Sequence, residues 1–416
     1  MKVRRLRVFV SLATAALVFA SCGSSGVKSG SGQATAPGVS GTTVKIGFIT
    51  SLSGPYAPGF EKAADAAKAR VSVVNAAGGI DGRKLQLFVA DDQSSPAGAL
   101  AAAKQLVEQD GVFGVVTESG FFTAAYNYLK QAGVPVVGGS YSGPEWGDPS
   151  NTNMFADFGG YDPNYPAWTQ YGIFLKQMGI TKFGVVSYTG GGAGEPVAKA
   201  VCESATHGGV PCVYQDFTTP PGGVNFTTQA LAMKNAGVQA FYTNMVSTSA
   251  FALEDALKQA GVDVKAALVG VGYGQTLLGT PSVVQSAQGM TFPLQIAPEE
   301  LGLPATKAML AGLGQYMGWK GDVDWEVSQG WVSLGLMSFG LQKAGAQLTR
   351  AGFITNLRKV TNYTADGLNA GPVDFSSWTG TDPQSSGGCW YAVTLTGSKF
   401  AVDNGGKPYC GKPISG

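Results

Sequence analysis

From Thr43 onward, short apolar runs alternate with stretches whose apolar and alanine positions recur at helical spacing. Val44-Lys45-Ile46-Gly47-Phe48-Ile49 reads as a first strand, and Ser51-Leu52-Ser53-Gly54-Pro55 as the loop that follows it. Residues 61–77 carry the helical pattern and stop at Gly78-Gly79, where glycine tolerates the backbone turn that ends a helix. A second strand over 85–89 closes at Asp91-Asp92, and Pro96 opens a helix over 96–109, proline being favoured in a first turn. A strand over 112–116, a helix over 121–131 and a strand over 134–137 complete the series. The alternation then restarts. Helices over 167–178, 195–204, 227–235 and 251–259 are interleaved with strands over 182–188, 211–215, 239–243 and 266–269. Residues 304–359 read as mostly helical and 390–394 as a last strand. Two successive strand–helix series predict an α/β protein of two doubly wound parallel-sheet lobes with right-handed crossovers. Such sheets bind ligands beyond the carboxyl ends of their strands, so two of them facing each other make a cleft.

The segment before Thr43 follows other rules. Lys2, Arg4, Arg5 and Arg7 form a basic start, and residues 8–20 are apolar but too short to span a bilayer. The run ends in Phe19-Ala20-Ser21-Cys22, which resembles the lipobox of lipoprotein signal peptides. The expectation is a signal peptide over 1–21 and lipid attachment at Cys22, on the outer face of the cytoplasmic membrane. An ordinary secretory signal cut nearby is the plainer alternative. Residues 22–42 are mostly Gly, Ser, Ala, Thr and Pro, too poor in apolar groups to fold alone, and read as a flexible linker. No later run is long and apolar enough to suggest a membrane span.

Charge narrows the partners. Without the four basic residues of the signal, 24 basic residues face 27 acidic ones, a net charge near −3. That argues against nucleic acid or an anionic surface as the main partner. The remaining cysteines fall into two local pairs, Cys202 with Cys212 and Cys389 with Cys410. An even count in an exported chain reads as disulfides, and the local pairing fits the spacing best of three connectivities. No C-x-x-C occurs and His207 is the single histidine, so neither a metal nor a cofactor is expected. The same lone histidine, with no G-x-S-x-G, leaves a nucleophilic enzyme unsupported. The run Gly190-Gly191-Gly192-Ala193-Gly194 lacks the Lys-Ser/Thr of a phosphate loop and reads instead as a cleft edge.

At this point several motifs stand in one order. The run from Val44 through Ser53-Gly54-Pro55, then Asn75-Ala76-Ala77-Gly78-Gly79-Ile80-Asp81-Gly82-Arg83-Lys84, then Asp91-Asp92 and Ser95-Pro96, resembles the leucine/isoleucine/valine-binding family. These are type I periplasmic solute-binding proteins of ABC importers. The resemblance is strong over 43–137 and continues as element order beyond it. It implies two α/β lobes joined by three crossovers and closing on a small solute, a permease as partner, and a monomer. Lobe one would comprise 43–157 and 294–387, and lobe two 158–293 and 388–416.

The resemblance also places a site. In the family the loops after the third and fourth strands hold an amino acid's carboxylate with hydroxyls and amides. Here those loops are Thr117-Glu118-Ser119-Gly120 and Gly138-Gly139-Ser140-Tyr141-Ser142-Gly143-Pro144-Glu145, making Ser119, Gly120, Ser140, Tyr141 and Ser142 candidate ligand contacts. Ser119 also has the position of a simple helix N-cap. The position of the family's acid that pairs with the ligand's ammonium falls at Gly272, and that of the usual tyrosine near Val246, so this sequence departs from the pattern. A buried ammonium with no acid is costly. A free amino acid therefore fits only if Glu118, Glu145, Asp157 or Asp162 replaces the missing acid. Tyr56, Tyr141, Trp146, Tyr161, Tyr188 and Tyr273 supply aromatic surface near the cleft, with core packing as the plainer role. The expected solute is a small acid, amide or aromatic compound with little positive charge. The same fold could instead serve a ligand sensor feeding a membrane signalling partner, which the sequence does not separate from import.

Overall fold

Two sheets carry the strands of this chain. The computed structural model describes residues 36–140, 142–158, 167–189, 194–376 and 388–414; Cys22 and the expected signal peptide lie outside the described residues. The first sheet holds β1 (Thr43–Thr50), β2 (Lys84–Asp91), β3 (Gly114–Glu118), β4 (Val136–Gly138) and β5 (Met154–Ala156) in the order β2-β1-β3-β4-β5. All its pairings are parallel. Every residue of β3, β4 and β5 is buried, as expected of a parallel sheet covered by helices on both faces.

The second sheet holds β6 (Phe183–Tyr188), β7 (Cys212–Thr219), β8 (Ala240–Thr243), β9 (Ala266–Val269), β10 (Met290–Leu294), β11 (Cys389–Thr396) and β12 (Lys399–Val402), in the order β12-β11-β10-β9-β8-β6-β7. β13 (Tyr409–Cys410) pairs with β11. Strands β6 to β10 are parallel, whereas β11 runs antiparallel to β10, β12 and β13. This sheet is thus mixed where the sequence pattern predicts a purely parallel one. The antiparallel strands come from the last segment of the chain, which returns from the other lobe as a meander and needs no crossover helix. Strands β5 and β10, which the pattern misses, are short buried runs with no alternation to mark them.

The connectivity gives two lobes and three crossings. After β5 the chain passes to the second sheet. After β10 it returns as the helices Pro304–Met317, Trp325–Ala344 and Arg350–Leu357, and β11 takes it back. The helix Trp325–Ala344 packs on β3, β4 and the helix Ala63–Ala76. The two helices touch backbone to backbone, since a Cβ on Gly330 would lie 2.0 Å from the Ala63 carbonyl oxygen. Lobe one is bolted on its far side by Arg350, whose guanidinium donates to the carbonyls of Val112, Phe113 and Ala132 at 2.8–3.1 Å.

Residues 36–42, read from composition as the end of the linker, pack on lobe one instead. Val39 is buried and bridges Val44. Gly38 takes φ +75°, and a Cβ there would lie 2.3 Å from the Phe113 amide nitrogen. One valine and a glycine that permits close approach suffice to dock the segment. Both cysteine pairs are joined as the spacing suggested, Cys202 to Cys212 with Cα atoms 5.5 Å apart and Cys389 to Cys410 at 4.1 Å. Among the described residues no helix is long and apolar enough to cross a membrane.

Candidate functional site

The carboxyl ends of β1, β2 and β3 are held together by two aspartates. Asp91 accepts from the amides of Leu52 and Ser53 at 2.9 and 3.3 Å and from the Ser53 hydroxyl at 2.6 Å. These bonds hold its carboxyl below the usual range, although its partial burial opposes them. Asp92, fully buried, accepts from Ser51 Oγ at 2.7 Å, from the Ser94 amide at 2.8 Å and from Ser119 Oγ. Ser94 Oγ in turn accepts from the Tyr56 amide at 3.0 Å and donates to the Ser53 carbonyl at 2.7 Å. The Asp91-Asp92 pair and the Ser53-Gly54-Pro55 turn are therefore one fixture, and its product is the position of Tyr56.

Tyr56 reaches across to the other lobe. Its ring centroid lies 5.5 Å from that of Tyr188, the last residue of β6, and 4.8 Å from Phe121, which stands edge-on. Gly120 lies under the same ring, 3.5 Å from it at the place where a Cβ would stand. Burial, and after it the nearness of Tyr188, pushes the Tyr56 phenol well above its ordinary range. The Tyr188 hydroxyl donates to Ser249 Oγ at 2.8 Å, which anchors it to the first turn of the helix Ser247–Ala260. Gly59 of lobe one faces Val246 and Val271 of lobe two, whose methyl groups would lie 3.2 and 3.6 Å from a Cβ there. Phe60 stacks on Tyr56 at 6.4 Å and meets Trp325 edge-on at 5.8 Å. Aromatic and aliphatic groups from both lobes thus meet between the strand edges and form a wall there.

A polar fastening borders this wall. Lys62 Nζ donates to Asp324 Oδ2 at 2.8 Å and to Thr276 Oγ1 at 2.6 Å, and Asp324 accepts from the Thr276 amide at 2.8 Å. The Trp325 amide donates to the Tyr273 carbonyl at 3.0 Å. These bonds tie the segment after β9 to the start of the helix Trp325–Ala344.

The predicted site residues separate into groups. Tyr56, Gly120 and Tyr188 meet at the inter-lobe wall, and Ser119 is buried directly behind Gly120. Ser119 accepts from the Phe121 amide at 3.1 Å, a local capping bond, and its proton goes to Asp92. Ser142 is buried, donates to Glu145 and accepts from Trp146 Nε1 at 2.8 Å. Ser140, between these two in sequence, is half-buried. Tyr273 is turned toward Glu300, to which its hydroxyl donates at 2.8 Å, and toward the Phe400 ring at 4.5 Å. Its carbonyl accepts from the Trp325 amide, which links it to the wall. Trp146 packs on Phe122 within lobe one, away from the lobe-two aromatics. Tyr141, Tyr161, Asp162 and residues 190–193 lie outside the described residues.

The family model for periplasmic binding proteins matches residues 43–399. The chain belongs to the periplasmic binding protein family. A Leu/Ile/Val-binding protein homologue of Brucella melitensis is 32% identical over 202 residues, which are 48% of this chain and 53% of that protein. The Leu/Ile/Val-binding protein of Escherichia coli is 25% identical over 201 residues, again 48% and 53%. The matched stretch thus spans about half the length of these curated relatives. Among solved structures, a fatty acid ABC transporter substrate-binding protein from Thermomonospora curvata superposes with a TM-score of 0.73 at 20% identity, covering 92% of this chain and 94% of the other. A solute-binding protein of R. palustris in complex with benzoate gives 0.71 at 16% identity, covering 90% and 98%. At these identities the likeness is one of fold.

Gly272 and Val246, which the resemblance sets against an acid and a tyrosine of the amino-acid binders, are both closely packed. Gly272 has φ +115°, and a Cβ there would meet Ser247 at 3.0 Å and Phe251 at 3.2 Å. Val246 is buried against Gly59. Glu118, Glu145 and Asp157 are engaged within lobe one. Glu145 is bound to Ser142 and Thr123, while Glu118 and Asp157 both meet the hydroxyl of Ser333 on the helix Trp325–Ala344. Phe60, Phe121 and Trp325 are wall residues that the sequence reading passes over. Only the meeting of the lobes brings them together. Among the described residues no group of acidic, histidine and cysteine side chains is placed to hold a metal ion.

Proposed function

We propose that this chain is an extracytoplasmic solute-binding lipoprotein that captures a small organic solute between its lobes and delivers it to an ABC importer. The observation that carries the reading is the Tyr56–Tyr188 contact, which joins the carboxyl edges of the two sheets where α/β proteins bind ligands. Lobe one comprises 43–157 and 294–387, lobe two 158–293 and 388–416, and the three crossings between them act as the hinge. Contacts from the solute to both lobes favour the closed state by their difference in affinity. The solute is apolar or aromatic in body, because aromatic and valine side chains wall the space and no lobe-two acid stands at Gly272 to receive an ammonium. Lipid on Cys22 holds the binder at the membrane beside its permease.

The test is a thermal-shift screen of the purified protein against amino acids, amides, short acids and aromatic compounds. A compound that binds only the folded state raises the melting temperature, by about 2.7 kcal/mol of stabilisation at a hundredfold excess over Kd. Apolar and aromatic compounds should shift it and free leucine or valine should not. Tight binding of leucine by calorimetry would contradict the assignment of solute class.

A further inference from the structure

Behind the lobe-one wall lies a row of buried carboxyl groups, one at each of four strand ends. Asp92 follows β2, Glu118 ends β3, Glu145 stands in the turn after β4, and Asp157 follows β5. All four are buried. Neutral donors meet them: Ser51, Ser119 and the Ser94 amide at Asp92, Ser333 and the Gly139 amide at Glu118, Ser142 and Thr123 at Glu145, and Ser333 at Asp157. Asp92, Glu145 and Asp157 form no ion pair among the described residues. Glu118 and Asp157 share the one hydroxyl of Ser333, and burial raises the Asp157 carboxyl.

This arrangement uses the donors that a bound acid would need. The Ser119 proton goes to Asp92, the Ser142 proton to Glu145, and the Gly139 amide points at Glu118 Oε1 at 3.1 Å. What Ser119 and Ser142 retain is acceptor capacity, since each oxygen has two lone pairs and accepts one bond, from the Phe121 amide and from Trp146. A carboxylate arriving at this wall would meet hydroxyls already turned toward the protein's own carboxyl groups. An ammonium fares no better on the other side, where Gly272, Val246 and Val271 offer no charge.

We propose, resting on the solute-binding reading above, that the cleft selects a neutral solute: an apolar or aromatic body bearing a hydrogen-bond donor such as an amide or alcohol, with the matching carboxylate rejected. The experiment is calorimetry on the full protein with matched sets: benzamide, benzoate and benzylammonium; phenylacetamide, phenylacetate and phenethylammonium; isovaleramide, isovalerate and isopentylammonium. The neutral member of whichever sets bind should be tighter than its acid by about tenfold or more, the cost of burying a carboxylate short of hydrogen-bond donors. In Glu145→Gln that ratio should narrow; an unchanged ratio in a folded variant would remove the buried acids as its cause. A set in which the acid or the ammonium binds best overturns the inference and leaves solute capture standing. Binding of no compound from any set counts against both.

Discussion

Replacing Tyr188 with alanine should cost the protein about thirtyfold or more in affinity for its solute while leaving it folded. Tyr188 ends β6 and presents its ring to Tyr56 across the lobes, with its hydroxyl fixed by Ser249. A buried aromatic at the centre of a binding surface typically contributes about 2 kcal/mol or more on truncation, roughly a factor of thirty. The loss has two parts, the contact with the solute and the contact with Tyr56 that helps hold the closed state. Tyr188→Phe separates them from the hydroxyl. It keeps both ring contacts and gives up one hydrogen bond to Ser249, so its affinity should fall by only a few fold, about 1 kcal/mol. Titration calorimetry on the two variants reads the difference. Equal affinities for Tyr188→Ala and the unchanged protein would remove this edge of β6 from the site.

The second large effect concerns pH. Burial raises Asp157 to about 7, and Glu299 and Glu326 each to about 8, with Glu300 adding to the rise at Glu299. Asp92 and Glu145 are raised by burial in the same direction. A carboxyl whose folded pKa lies above its unfolded one binds more protons in the folded state. Its contribution is complete below about pH 4 and is lost as pH rises through the folded value. One such group raised by one pH unit costs about 1.4 kcal/mol, so with folded values near 7 and 8 the three together remove several kcal/mol of stability between pH 4 and pH 9. Asp91 and Asp148 are lowered instead, but their contribution changes only below about pH 4. The melting temperature should therefore fall steadily from pH 5 to pH 9, and Asp157→Asn should make the fall shallower. Scanning calorimetry at pH 5, 7 and 9 checks this; a melting temperature that climbs toward pH 9 would show these acids to be ionised at little cost.

The element order is legible in the sequence because parallel strands covered by helices leave contiguous apolar runs between periodic stretches. What the pattern does not reveal is the second sheet's antiparallel end. Strand β10 is five buried residues with a proline inside, and β12 and β13 are short strands on a returning tail. At the site, Tyr56 and Tyr188 are recoverable because one stands in the loop after a strand and the other at a strand's end. Trp325 is not, because it opens a helix far along the chain from Phe60, and only tertiary contact brings the two rings together. The serines illustrate the opposite limit. Ser119 and Ser142 follow β3 and β4, but a sequence does not show where a hydroxyl proton goes, and here each goes to a carboxyl group of the protein.

Capture between two lobes requires that they move. Leu52 and Val224 are exposed, and their loops approach across the cleft mouth, where a Cβ on Gly222 would lie 3.6 Å from the Cβ of Pro55. Spin labels on Leu52→Cys and Val224→Cys, in a soluble form beginning at Gly23 with both disulfides kept oxidised, report that separation by pulsed dipolar spectroscopy. Adding a solute that raises the melting temperature should collapse a broad distance distribution onto a single shorter distance. A distribution that stays the same while the solute is bound would contradict capture by closure of the lobes.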